Sequence, residues 1–164
     1  MLIYNHAYDI YNCMFRILAL LYRSEQEFSI EQIRIFDFII AFPEMINMTR
    51  IPKGSARGKK IIQNKYLSPQ SHTKVFYRTE NFQISALNHL AAHNIIDAQK
   101  YAENTVVLNK STDLPKYIID EIASVDSNSD MAIRICINSL YNVPVNGENG
   151  LKDRTKMMEY RYDG

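Results

Sequence analysis

Residues 82–108, FQISALNHLAAHNIIDAQKYAENTVVL, change hydrophobic period partway along, and that change decides the fold. Phe82, Leu87, Leu90 and Ala91 form an apolar stripe at helical spacing that ends near His93. Asn94 then offers a left-handed cap, because Asn tolerates positive φ. Beyond it, Ile95-Ile96 and Thr105-Val106-Val107-Leu108 are β-prone runs joined by the polar stretch DAQKYAEN. Helix, short strand, loop and strand is the order of a winged helix. The expectation is a mainly α single domain with a small β-hairpin, a winged-helix-like α+β fold.

Upstream, Asp9 can cap a first helix to about Arg23, with Ile10, Cys13, Met14, Ile17, Leu18 and Leu21 on one face. Ser29 and Gln32 form a capping box for a second, and Phe28 before the cap can staple onto Ile33. Ile30, Ile33, Phe36, Asp37 and Ile40 follow helical spacing until Phe42-Pro43 interrupts them. TRIPKGSARGKK, residues 49 to 60, is a loop by its Pro, Gly and charge content. A short helical stretch is expected around Ile61 to Tyr66, before Ser68-Pro69. Downstream, Asp113 can cap a helix through Ile118, Ile119 and Ile122. Ser129 or Asp130 opens a last long helix through Met131, Ile135 and Leu140, ended by Pro144.

A length of 164 residues fits about one domain, and 46% apolar residues supply a core. A formal charge of +1 predicts no global attraction to nucleic acid or anionic lipid. The charge is nonetheless uneven. Residues 50 to 65 hold six of the 19 basic residues and no Asp or Glu, which leaves 13 basic against 18 acidic groups elsewhere. A basic loop therefore sits on a mildly acidic body. Cys13 and Cys136 fall inside apolar helical patterns and read as reduced core residues. The apolar run CMFRILALL is broken by Arg16 and is far shorter than the ~20 residues that span a bilayer. With no signal peptide, the expectation is a soluble cytoplasmic protein without membrane contact.

The chain's last residues, GLKDRTKMMEYRYDG, follow the flexible run Asn146-Gly147-Glu148-Asn149-Gly150. Leu151, Met157, Met158, Tyr160 and Tyr162 alternate there with Lys152, Arg154, Lys156 and Arg161. Apolar residues beyond such a hinge either fold back or dock in another protein, and Tyr, Met and Arg are enriched at interface cores. The reading favoured is a helical domain over 1–145 with a hinge and docking segment over 146–164.

No reaction is visible. Gly54-Ser55-Ala56-Arg57-Gly58-Lys59-Lys60 has three residues between its glycines where a P-loop needs four, and Lys60 replaces the hydroxyl that binds Mg²⁺. Nucleotide hydrolysis is rejected. Phosphate contact through Lys53, Arg57, Lys59 and Lys60 is more plausible, against the alternatives of a solvated loop or a meeting with an acidic protein. His89 and His93 share a helical face, but Asp97 falls past the helix end and no Glu follows His89, so no metal is assigned. Asp9 and Arg16, seven apart on helix 1, read as members of an ion pair, internal or between subunits, rather than a catalytic couple. No catalytic residue and no cofactor are assigned.

Four segments resemble one family: YNHAYDIYNCMFRIL, RIFDFIIAFPEMI, FQISALNHLAAHNIID and GLKDRTKMMEYRYD. They look like the middle component of bacterial ABC-three-component systems, the small subunit of Lamassu-type defence operons. The matching positions are Asp9, Arg16, Asp37, Phe42 and Pro43, then Leu151, Lys152, Arg154, Thr155, Tyr160, Arg161 and Tyr162. The resemblance implies an accessory subunit joined to an SMC-like ABC ATPase and to an effector, often a nuclease, with double-stranded DNA reached through the complex. The partner-binding candidates are therefore Asp9, Arg16, Leu151, Lys152, Arg154, Met157, Met158, Tyr160, Arg161 and Tyr162. A free-standing winged-helix transcription regulator is the alternative. Its recognition helix, QISALNHLAAHN, would offer Gln83, Asn88 and Asn94 but no Arg or Lys, a poor surface for phosphate.

Overall fold

A computed structural model describes residues 6–55 and 72–157. Helix α1 (Ile10–Ser24) starts at Asp9, whose carboxylate accepts from the amides of Tyr11 and Asn12 at 2.8 and 3.2 Å. It stops at Glu25, which takes a left-handed φ of 53°. Strand β1 (Phe28–Ser29) leads directly into α2 (Ile30–Ala41). The capping box forms in full: Ser29 Oγ accepts from the Gln32 amide at 3.1 Å, and Gln32 Oε1 accepts from the Ser29 amide at 2.8 Å. Satisfying two orphan donors reciprocally fixes where the helix begins. Phe42 and Pro43 end it and turn the chain into a 3-10 helix, Pro43–Asn47.

Helix α3 (His72–Ala92) begins well before Phe82, and its early turns add exposed Lys74 and Arg78 to the surface expected from QISALNHLAAHN. It ends at the left-handed Asn94, φ 57°, as the Asn signal implied. The hairpin differs from expectation. Asp97 caps a short helix, α4 (Ala98–Ala102), by accepting from the Lys100 amide, so the polar joiner is helical. Ile95-Ile96 contributes a single antiparallel bridge, Ile96 to Leu108. Strand β2 (Thr105–Val106) pairs instead with β1, placing Phe28 opposite Val106. Phe28 explains the choice. Fully buried, it meets Phe36 and Tyr141 edge-on, and it draws its strand onto the inner side of β2.

Helix α5 (Lys116–Ala123) starts after Pro115 rather than at Asp113. Helix α6 (Ser127–Ile135) is capped by Asp126, which accepts from the Ser129 amide at 2.9 Å, two residues before the expected start. It continues as a π-helical turn, Cys136–Leu140, and a last short helix, α7 (Leu151–Arg154), follows Gly150. The architecture among the described residues is mainly helical with a two-stranded antiparallel sheet. Helix α1 packs along α3, and α6 lies on α2 and the 3-10 helix, around a core that includes Leu20, Phe36, Phe38, Leu87 and Leu90. Cys13 and Cys136 are buried free thiols. None of the described helices is long and apolar enough to cross a membrane. The stretch expected to be helical around Ile61 to Tyr66 lies outside the described residues.

Candidate partner-binding site

Arg16, a partner-binding candidate, turns inward. Its Nε donates to Asp37 Oδ1 at 2.6 Å and its Nη1 to the His6 carbonyl at 3.2 Å. Asp37, on α2, also accepts from Arg16 Nη2, from Gln83 Nε2 at 2.9 Å and from Cys13 Sγ. One carboxylate therefore ties α1, α2 and α3 together. Burial opposes the Arg16 charge, but the Asp37 charge and hydrogen bonds outweigh it and hold the guanidinium above its ordinary pKa. Burial and then the Asp37 charge push the Cys13 thiol far up, which makes it a poor nucleophile. The ion pair expected at Arg16 is internal, with Asp37 rather than Asp9 as the carboxylate it binds; Asp9 caps α1. A carboxylate on the apolar stripe of α2 and a cation inside the apolar run of α1 were the sequence signal for it.

The chain's later segment folds back on the body. Leu151, Thr155 and Met157 are buried in this chain. Gly150 sits so close to the Asn146 carbonyl that a Cβ there would lie 2.5 Å from its oxygen, so only glycine fits the turn. The amides of Leu151 and Lys152 donate to the carbonyls of Pro144 and Val145. Arg154 and Arg50 exchange backbone contacts: the Arg50 amide donates to the Arg154 carbonyl, and Arg154 Nη1 donates to the Arg50 carbonyl at 2.9 Å. Arg50 also binds Asp153 at 2.7 Å, and Lys152 reaches Glu31 at 3.4 Å. The run expected as a hinge is held at both ends, and residues 151–157 pack on the helical body rather than standing off it. Met158, Tyr160, Arg161 and Tyr162 lie outside the described residues.

Of the four phosphate candidates, Lys53 is exposed beside Gly54. Arg57, Lys59 and Lys60 lie outside the described residues. Arg50, at the root of the same loop, is committed to the later segment. Of the base-reading candidates, Gln83 is fully buried and bound to Asp37 and Arg34, which removes it from any groove. Asn88 accepts from the Tyr101 hydroxyl. His89 and His93 are exposed, and Asp97 is occupied in capping α4.

Sequence reasoning missed a cleft of about 590 Å³ between the first turn of the described chain, α1, the Phe42–Glu44 corner and the junction of α5 with α6. Phe15, Phe42, Glu44, Glu121 and Asp126 line it. The corner exists because Pro43 ends α2, and the next residue, Glu44, is carried inward to 8% exposure. Burial raises the Glu44 carboxyl pKa, and its backbone hydrogen bond and His6 oppose the rise. Its Oε1 accepts no hydrogen bond among the described residues.

The class so defined is a small, mainly helical domain with a two-stranded sheet and one acidic cleft. The model of the family described as ABC-three component (ABC-3C) system Middle Component 5 matches residues 2–163, and the chain belongs to that family. It is one component of a multi-component system and has partners within it. No curated protein and no solved structure matches the chain.

Proposed function

We propose that this chain is a non-catalytic accessory subunit of a Lamassu-type defence complex against phage and plasmids. It links an effector, often a nuclease, to an SMC-like ABC ATPase, or restrains that effector until DNA is engaged. The family match across residues 2–163 is the observation that carries this reading. The element order supports a winged-helix module: α1, β1, α2, α3, then the Ile96 bridge and β2, with β2 between β1 and Ile96. Such modules dock proteins as well as DNA. In this reading the basic loop at Lys53, Arg57, Lys59 and Lys60 adds phosphate contacts to a DNA surface supplied mainly by the ATPase.

The test is co-expression with the products of the neighbouring genes, followed by size-exclusion chromatography. Co-elution with an ATPase, an effector or both is expected; a chain that elutes alone at micromolar concentration refutes the reading. The transcription-regulator alternative gains exposed Lys74 and Arg78 on α3 and loses Gln83 to the core. It requires the isolated chain to bind one DNA sequence far more tightly than others.

A further inference from the structure

Proteins bury a carboxylate without its full set of donors at a cost, and one in a cleft wall leaves a charge that an entering cation can offset. Glu44 fits that description: 8% exposed, lining the cleft, with Oε1 unpaired among the described residues. Two further carboxylates line the same cleft. Glu121 comes from the end of α5, and Asp126 from the cap of α6. None of the three forms an ion pair among the described residues. Arg16, the one lysine or arginine among the described residues that line the cleft, is already neutralised by Asp37. The cleft is therefore acidic, although the chain as a whole is nearly neutral.

Its walls narrow the choice of occupant. Phe15 and Phe42 present aromatic surface beside the carboxylates. Tyr11, 83% exposed, stands one turn before Phe15 on α1, and Tyr117, 66% exposed, stands one turn before Glu121 on α5. Exposed tyrosines flanking a charged pocket are a usual rim for a protein contact. A metal ion fits poorly, since among the described residues no three His, Cys, Asp or Glu side chains converge to hold one. A planar guanidinium suits aromatic and carboxylate surface together, because it stacks on rings and offers a fork of donors; a lysine ammonium does only part of this.

We propose that this cleft receives an arginine side chain presented by a partner protein of the complex, with the Glu44 carboxylate in its wall and Glu121 and Asp126 supplying the attracting charge. This rests on the reading of the chain as a docked subunit. It adds the place and the chemistry of one contact.

Two experiments separate the proposal from that reading. In the first, the full chain is titrated with N-acetyl-arginine methylamide and, separately, with the neutral citrulline analogue, while backbone amide resonances are followed. The arginine compound is expected to shift Phe15, Glu44 and Glu121. Glu44→Gln should weaken its Kd about tenfold, as removal of a charge-assisted partner does. Equal shifts with citrulline, or an unchanged Kd for Glu44→Gln, overturn the proposal. In the second, the wild-type chain and a Glu44→Gln, Glu121→Gln, Asp126→Asn variant are co-expressed with the neighbouring gene products. Asn preserves the α6 cap, so shape is kept while charge is lost. Assembly lost or weakened in the variant alone supports the arginine contact. Assembly unaffected by the variant overturns it while the adaptor reading stands. Dimerisation of the isolated chain through the cleft, abolished by the same variant, assigns the arginine to a second copy and also overturns it.

Discussion

Replacing Asp37 by Asn changes one atom at the point where three helices meet. Oδ1 accepts from Arg16 Nε at 2.6 Å, while Oδ2 accepts from Arg16 Nη2, Gln83 Nε2 and Cys13 Sγ. Whichever way the Asn amide is turned, its NH₂ group faces a donor. Arg16, a residue only 7% exposed, is left with no counter-charge. Breaking one side of a buried ion pair costs about 3–5 kcal/mol. For a chain of this size that is a fall in Tm of roughly 6 to 20 °C. Urea unfolding followed by far-UV circular dichroism measures it directly, with m compared so that a change in the unfolded ensemble is recognised. The double replacement Arg16→Met, Asp37→Leu is expected to recover most of the loss, because both desolvation penalties vanish and Gln83 Nε2 keeps the Arg34 carbonyl. A loss below about 1 kcal/mol for Asp37→Asn, or a double variant no better than the single, would refute the view that this pair locks α1, α2 and α3.

Gly150→Ala should cost about 1–3 kcal/mol and raise amide exchange over 151–157, since its Cβ would press on backbone that cannot swing aside. Ser29→Ala removes half of the capping box and should lower stability by about 1 kcal/mol, read from the same urea curves. Glu44→Gln should stabilise the free chain at neutral pH by about 1 kcal/mol, because it abolishes a buried charge whose Oε1 has no donor. The sign follows from burial raising the Glu44 pKa above its ordinary 4.5: the native state holds the proton more tightly, so stability is greatest below that value and falls as pH rises through the raised one. With His6, Arg16, Glu121 and Asp126 unchanged around it, the gain from Gln should vanish in melts below about pH 4.5. Charge reversal of Lys53, Arg57, Lys59 and Lys60 in the intact complex should lower the log–log salt slope of DNA binding by roughly three to four; an unchanged slope counts against phosphate contact.

Several helix boundaries were legible from cap and period together, although Asp113 and Ser129 were not the caps of α5 and α6. Asp9, Ser29 with Gln32, Pro43 and Asn94 mark boundaries that the structure keeps. The start of α3 was not, because His72 to Asn81 carries no clean apolar stripe; tertiary packing of Phe76 and Thr79 makes it helical. Strand pairing was legible in part, since Ile96 of the first run does bridge Leu108 of the second. The other end of the run Thr105–Leu108, residues Thr105 and Val106, pairs with Ser29 and Phe28. Sequence separation hides that. Family membership was legible in the four quoted segments, and the acidic cleft was not, since its carboxylates sit 77 and 82 positions from Glu44 along the chain.

Asp37 and Glu44, the two buried carboxylates among the described residues, make the strongest contrast. Asp37 has four donors converging on it, from three side chains, and so has no capacity left for a visitor. Glu44, a corner away, has Oε1 buried without a donor, and its side chain lines the cleft. A chain able to satisfy one buried acid so fully had the means to satisfy the other, and it keeps an arginine in the wall of the same cleft without turning it toward Glu44. A role confined to the fold would make Gln there irrelevant to assembly, whatever it does to the free chain. A docking role demands opposite signs, with a free chain that melts higher and a contact that holds less well. Measuring both on the one substitution decides between them.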